Sequence, residues 1–180
     1  MPESVYLQML ITHGTDWVKQ LRELHRPQSQ TLAEEMRGTL APFFEPRILD
    51  SARFCLINEI PNPQFYRLLP PGTSIPIDFR SMAGLTVGDT VLLAQSRINP
   101  NESIEPLLFH ELVHVVQYDL LGVDEFIQQY VNGWAACGMR YDKIPMEQEA
   151  YSLQAKFGDK TSEDFSVAAI VSDRLRVSAA

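Results

Sequence analysis

Apolar residues recur along this 180-residue chain at two periods, and the periods divide it into elements. Over 16–24, Trp17, Val18, Leu21 and Leu24 fall three and four apart, the spacing of one helix face. Leu32, Met36 and Leu40 repeat that spacing over 31–40, a helix expected to be broken by Gly38 and stopped by Pro42. The run Ala52-Arg53-Phe54-Cys55-Leu56-Ile57 is short, apolar and rich in strand formers, and predicts a strand. Pro61, Pro63, Pro70, Pro71 and Gly72 then predict a loop. A second strand region covers 85–94, where a Gly88-Asp89 turn signal precedes Val91-Leu92-Leu93. It reads either as an ordinary core strand or as an edge strand beside the helix that follows. The second reading makes Thr90, Val91 and Leu92 candidates for receiving an extended peptide through backbone hydrogen bonds.

The next helix is apolar nearly all round: Leu107, Leu108, Phe109, Leu112, Val113, Val115 and Val116. Asn101 or Ser103 can cap it, Pro106 is tolerated in its first turn, and Gly122 ends it after Leu121. Asp124 is expected to cap a second helix bearing Phe126, Ile127, Tyr130, Val131 and Trp134 at core spacing, fading at Gly138. Pro145 fits the first position of another helix, which Gly158 can end. The stretch 161–180 reads as a helix over 165–175 or as a tail. The sum is a mainly helical α+β chain with a small sheet beside the long apolar helix.

Composition narrows this picture more by exclusion than by assertion. Hydrophobic content of 45% and charged content of 21% are ordinary globular values. A net charge of −8 without a Lys/Arg cluster argues against nucleic acid or an anionic membrane as partner. Cys55 and Cys137 match no metal or redox spacing. The N-terminus lacks the positive region and apolar core of a secretory signal, and no run approaches a membrane span of roughly 18 apolar residues. A cytoplasmic location is the expectation.

Candidate chemistry sits inside the long apolar helix, as His110-Glu111-Leu112-Val113-His114. Residues four apart share a helix face, so His110 and His114 present two imidazoles to one point. Glu111 lies about 100° round the helix, within reach of a metal-associated water and awkward for direct ligation. Shuffling this composition yields about 0.006 such matches by chance. Two buried histidines and a glutamate need partners, and a metal with its supporting hydrogen bonds would supply them. A catalytic zinc takes three protein ligands and keeps a fourth position open. Leu120 stands where the metzincin pattern needs a third His, which excludes that class. Gln117 shares the stripe of His110 and His114, about 20° from His110, and reads as a hydrogen-bonding support for a ligand. Downstream, Glu147 and Glu149 open the Pro145 helix; two residues apart, only one of them can face the metal. Tyr151 shares the face of Glu147. His13 and His25 have no companion at ligand spacing.

The pair of segments His110-Glu111-Leu112-Val113-His114 and Glu147-Gln148-Glu149-Ala150-Tyr151 resembles the gluzincin zinc metallopeptidases, whose third ligand is a Glu on a later helix. In size the chain resembles the small single-domain minigluzincins. The resemblance covers about residues 85–157 and aligns Glu147 with the third ligand. Tyr151 stands where the family often has Asp, and Glu149, Tyr151 and Gln117 become candidates for the ligands' supporting contacts. Length suits one domain, read as zincin-like over 1–180, with the motif-bearing core at 85–157; the helical N-terminal segment (1–50) and the tail (160–180) lie outside the resemblance.

The resulting expectation is a zinc-dependent metallopeptidase acting on a peptide or protein, with Zn2+ on His110, His114 and Glu147 and with Glu111 as general base. Two alternatives stand beside it: a catalytically inactive zinc-binding interaction domain, and a metal-dependent hydrolase of a non-peptide substrate. Tyr130, Arg140, Tyr141 and Tyr151 are equal candidates for stabilising an oxyanion.

Overall fold

A computed structural model describes residues 3–69, 76–159, 161 and 163–178. Pro70, Pro71 and Gly72 of the loop reading lie outside the described residues. The chain is mainly helical, with one small mixed sheet.

Helix α1 (Glu3–His25) is much longer than the 16–24 pattern predicts, because its inward stripe begins further back, at Leu10, and continues through Val18 and Leu21. Helix α2 (Glu34–Leu40) passes through Gly38 without a break. A short helix that the periodicity does not reveal, α3 (Pro46–Ser51), starts on a proline at its first turn and buries Ile48 and Leu49. Strand β1 (Arg53–Ile57) follows. The 85–94 region is two strands, β2 (Gly84–Val87) and β3 (Thr90–Ala94). They form an antiparallel hairpin about Gly88, whose φ of 70° suits glycine.

Strand order is β1-β3-β2, with β1 parallel to β3. This corrects the edge-strand reading of Thr90, Val91 and Leu92. They lie in the central strand, paired on both sides, and every residue of β3 is buried. A strand buried on both faces reads as a continuous apolar run, as Val91-Leu92-Leu93 does. Its place in the sheet depends on β1, more than 30 residues earlier, which local pattern does not encode. The outer strand next to the long apolar helix is β2.

That helix, α4 (Glu105–Ala136), is two helical segments joined at Gly122, where φ 74° and ψ 167° interrupt the helix. Its cap position is held by Ile104 without a side-chain capping bond, and Ser103, one residue earlier, accepts from the backbone N–H of Glu105 at 3.2 Å. Asp124, expected as the cap of the second segment, instead pairs with Lys19 at 2.7 Å and ties it to α1. The chain leaves α4 through Gly138, φ 73°. Helix α5 (Pro145–Gly158) then packs along α4. Helix α6 (Val167–Ser178) is ordered onto the core by Val167, Ala168 and Val171, which decides between the helix and tail readings.

Two apolar clusters meet across the sheet. Val91 and Leu93 face one side with the first segment of α4, α5 and α6, while Leu92 and Val87 face α1 and the second segment of α4. Alternate strand residues point to opposite faces, so a three-stranded sheet joins both clusters. Arg22 and Arg26 converge on Asp89 at 2.8 and 3.0 Å, fastening the hairpin turn to the end of α1. Both cysteines are free thiols. No helix among the described residues is long and apolar enough to cross a membrane.

Candidate metal centre

His110 and His114 lie one turn apart on the first segment of α4, and α5 brings Glu147 across to them. Their Nε2 atoms are 3.2 Å apart. Glu147 Oε2 is 3.3 Å from His110 Nε2, and Oε1 is 3.5 Å from His114 Nε2. All three residues are buried, and their ligand atoms converge tightly enough to hold a metal ion. Proline at the first turn of α5 and the small Ala150, fully buried, let the two helices approach closely. Gly133 at the same junction is already so near Pro145 that a Cβ there would lie 2.9 Å from the proline ring.

Two glutamines fix the imidazoles. Gln117 Nε2 donates to Met146 O at 3.3 Å and to Glu149 Oε2 at 2.9 Å. Its oxygen is therefore the atom 2.8 Å from His114 Nδ1, and that Nδ1 must carry the proton. Gln154 Oε1 sits 3.1 Å from His110 Nδ1 and imposes the same tautomer. Nε2 is then the ring atom of each histidine that faces a ligand, and it offers its lone pair once deprotonated. Glu149 is not at the cluster: it anchors Gln117, and its other oxygen faces Arg174 of α6 at 3.5 Å. Tyr151, half exposed, packs on His110 with its ring tilted by 51° and ring centres 4.4 Å apart.

Glu147 is gripped by phenols. Tyr130 donates to its Oε1 at 2.7 Å, while Oε2 is buried without any hydrogen bond. Burial alone would raise the Glu147 carboxyl, but His114 and His110 outweigh it and hold it well below the usual carboxylate range. Burial alone would lower His114; the charge of Glu147 and its hydrogen bond push it instead up to about 9. Tyr130 and Tyr141, the second also within reach of Glu147, are raised chiefly by burial and stay protonated donors. Arg140 is exposed and paired with Asp142 at 2.8 Å, away from the cluster.

Glu111 points round the helix toward β2. Thr86 Oγ1 lies 2.7 Å from its Oε2 and 3.0 Å from its carbonyl oxygen. Gly84 makes room for the carboxylate: a Cβ there would lie 2.7 Å from Glu111 Cδ and closer still to Oε1. Burial raises the Glu111 carboxyl above its ordinary value, although both histidines and Thr86 act the other way.

Sequence pattern thus named His110, Glu111, His114, Glu147 and Gln117 but missed Gln154, Thr86 and Gly84. Gln154 had a signal, since it stands seven residues after Glu147, two turns along one helix face. Thr86 and Gly84 had none, because their role depends on β2 packing against α4.

The cluster forms the floor of a cleft, part of it open to solvent, walled by α1, by residues 63–66 and 76–86, and by the second segment of α4. Set against known proteins, the chain matches no family model, no curated protein and no solved structure.

Proposed function

We propose that the protein is a zinc-dependent metallopeptidase. The observation that carries this reading is the buried convergence of two tautomer-fixed imidazoles and one carboxylate, with a second, separate carboxylate held beside them. Buried Glu147 Oε2 has no hydrogen bond, so a cation there would satisfy an orphaned acceptor. The spacing favours zinc: bonds of about 2.0–2.1 Å in a tetrahedron place donors about 3.3 Å apart, beside 3.2, 3.3 and 3.5 Å in this cluster. Two nitrogens and one oxygen are a donor set that zinc accepts, leaving its fourth position open.

Bound zinc would supply Lewis acidity, polarising a carbonyl and making a nearby water more acidic. Glu111 takes up the proton of the attacking water and passes it to the leaving amine. Burial pushes its carboxyl above the ordinary value, the direction that helps a base hand its proton on to the leaving group. Thr86 fixes the carboxylate, and the room at Gly84 lets it lie flat against β2. Tyr130 and Tyr141 both line the cleft as protonated phenols within reach of Glu147; Tyr130 makes the 2.7 Å bond to it, and we assign Tyr141 the oxyanion donor's role, which requires its phenol to turn from Glu147 to the substrate. The outer edge of β2 has no strand partner among the described residues, which favours an extended peptide as substrate.

The test compares wild type with Glu111→Gln, both loaded with one zinc, on a complex peptide mixture read for new termini by mass spectrometry. Cleavage by wild type alone is the expected result. Zinc bound by both and cleavage by neither would refute peptidase activity, and a wild type that holds no zinc would overturn the entire reading.

A further inference from the structure

The cleft above the metal centre has a composition of its own. One wall is α1, through Leu10, Trp17 and Val18; the opposite wall is the second segment of α4, through Phe126, Val131 and Trp134. Phe65, Ile77, Phe79 and Leu85 close a third side. No Lys or Arg is among the described lining residues, and the acids are Glu111 and Glu147 on the floor. An anionic group would find no partner there, while an apolar group would leave water for an aromatic surround.

The walls are already braced. Trp17 packs on Phe79 with ring centres 4.7 Å apart, and His13 stacks on Phe65 at 5.5 Å. Asn62 donates to Asp78 at 2.7 Å and accepts from the Phe79 N–H at 2.8 Å, which pins the third wall. An occupant would therefore meet a preformed cavity.

Gly14 is the informative residue. It stands in the middle of the 23-residue α1, where glycine weakens a helix relative to alanine. Close packing does not require it, since a Cβ there would meet only Ile127, at an ordinary 3.6 Å. What its missing side chain provides is open space in the cleft it lines.

We propose that this cleft is the selectivity pocket of the metal centre, that it receives a bulky uncharged aryl or branched-alkyl group of the substrate, and that Gly14 sets the room available. The word substrate rests on the metallopeptidase reading; the pocket and its preference do not. Both tryptophans of the chain, Trp17 and Trp134, line the cavity, so intrinsic fluorescence reports its occupancy.

The experiment titrates the full chain with acetohydroxamate, succinic monohydroxamate and 4-phenylbutanohydroxamate when zinc-loaded, and with 4-phenylbutanamide when zinc-free. The phenyl hydroxamate is expected to bind about 10- to 100-fold tighter than acetohydroxamate, the range for burying one aromatic side chain. The anionic succinyl compound is expected to gain nothing. Gly14→Leu should abolish the phenyl preference while zinc stoichiometry is retained; if that variant melts early, Val131→Phe fills the space from the opposite wall and must give the same loss. Equal affinity of phenyl and methyl compounds for wild type, or an unchanged ratio in both filled variants, overturns the pocket. A chain that binds no zinc yet changes its emission with 4-phenylbutanamide overturns the metallopeptidase reading and supports the pocket.

Discussion

Replacing Gly84 with alanine should separate catalysis from metal binding. The new Cβ would stand 2.7 Å from Glu111 Cδ and 2.9 Å from Cγ, against an ordinary carbon contact of about 3.5 Å. The Glu111 side chain must retreat by about 0.8 Å or β2 must move by as much, and either breaks the register with Thr86. A displacement near 1 Å costs on the order of 100-fold in rate, and a general base contributes about 10²- to 10⁴-fold altogether. The kcat of Gly84→Ala should therefore fall roughly 100-fold. Stability should change less: overpacking costs about 1–3 kcal/mol, and the lost flexibility of the unfolded chain returns about 0.4–1 kcal/mol. Zinc affinity should stay within about threefold of wild type, because the three atoms nearest that Cβ all belong to Glu111 and not to a proposed ligand. Rates on a peptide identified by the mass-spectrometric screen, zinc competition against a chelator, and urea unfolding together check the three quantities. An undiminished kcat would refute the placement of Glu111 against Gly84; a parallel loss of zinc would refute its separation from the metal ligands.

Gln117→Leu removes the acceptor of the His114 Nδ1–H and should weaken zinc binding about 10- to 100-fold in chelator competition; unchanged affinity would contradict the tautomer argument. His114 is pushed up to about 9 in the metal-free chain, so at pH 7 it holds a proton that zinc must displace. Calorimetry in buffers of differing ionisation enthalpy should show about one proton released, and affinity should fall about tenfold per pH unit below 9; buffer-independent heats would refute this. With its folded value raised, His114 stabilises the metal-free chain fully below its ordinary 6.5 and loses that contribution as pH rises through about 9. Gly122→Ala forces a side chain onto φ 74°, ψ 167°, with nothing within 4 Å for it to strike, so its cost of about 1–3 kcal/mol in denaturant unfolding should be purely conformational. A variant as stable as wild type would mean that α4 straightens without penalty.

Helical spacing alone brought His110, His114 and Gln117 to one stripe, and the break at Gly122 was legible because left-handed backbone favours glycine. The mainly helical α+β class was readable for the same reason: the periods of 3.6 and 2 are local. Two residues of separation decided that Glu147 and Glu149 could not both face the cluster, and the packing of α5 on α4 brings Glu147 in while turning Glu149 to Gln117. What stayed hidden is non-local. Val91 reads the same in an edge strand or a central one, and only the return of β1 places it in the centre. Thr86 is an ordinary strand residue until β2 lies against Glu111. The length of α1 escaped because Tyr6, Leu7 and Met9 make their contacts with distant partners, beyond the clean stripe at 17–24.

The interruption at Gly122 also bears on how such a chain changes over generations. His110, Glu111 and His114 lie before it, while the cavity residues Phe126, Val131 and Trp134 lie after it, together with Tyr130, whose phenol holds Glu147, so in the proposed reading one continuous stretch of chain would carry reactivity mainly in its first part and recognition mainly in its second. Substitutions after the bend can reshape what the cavity admits without rotating the histidines away from Glu147. Apart from Tyr130, such positions would let new ligand preferences arise by single changes that keep the proposed metal centre intact.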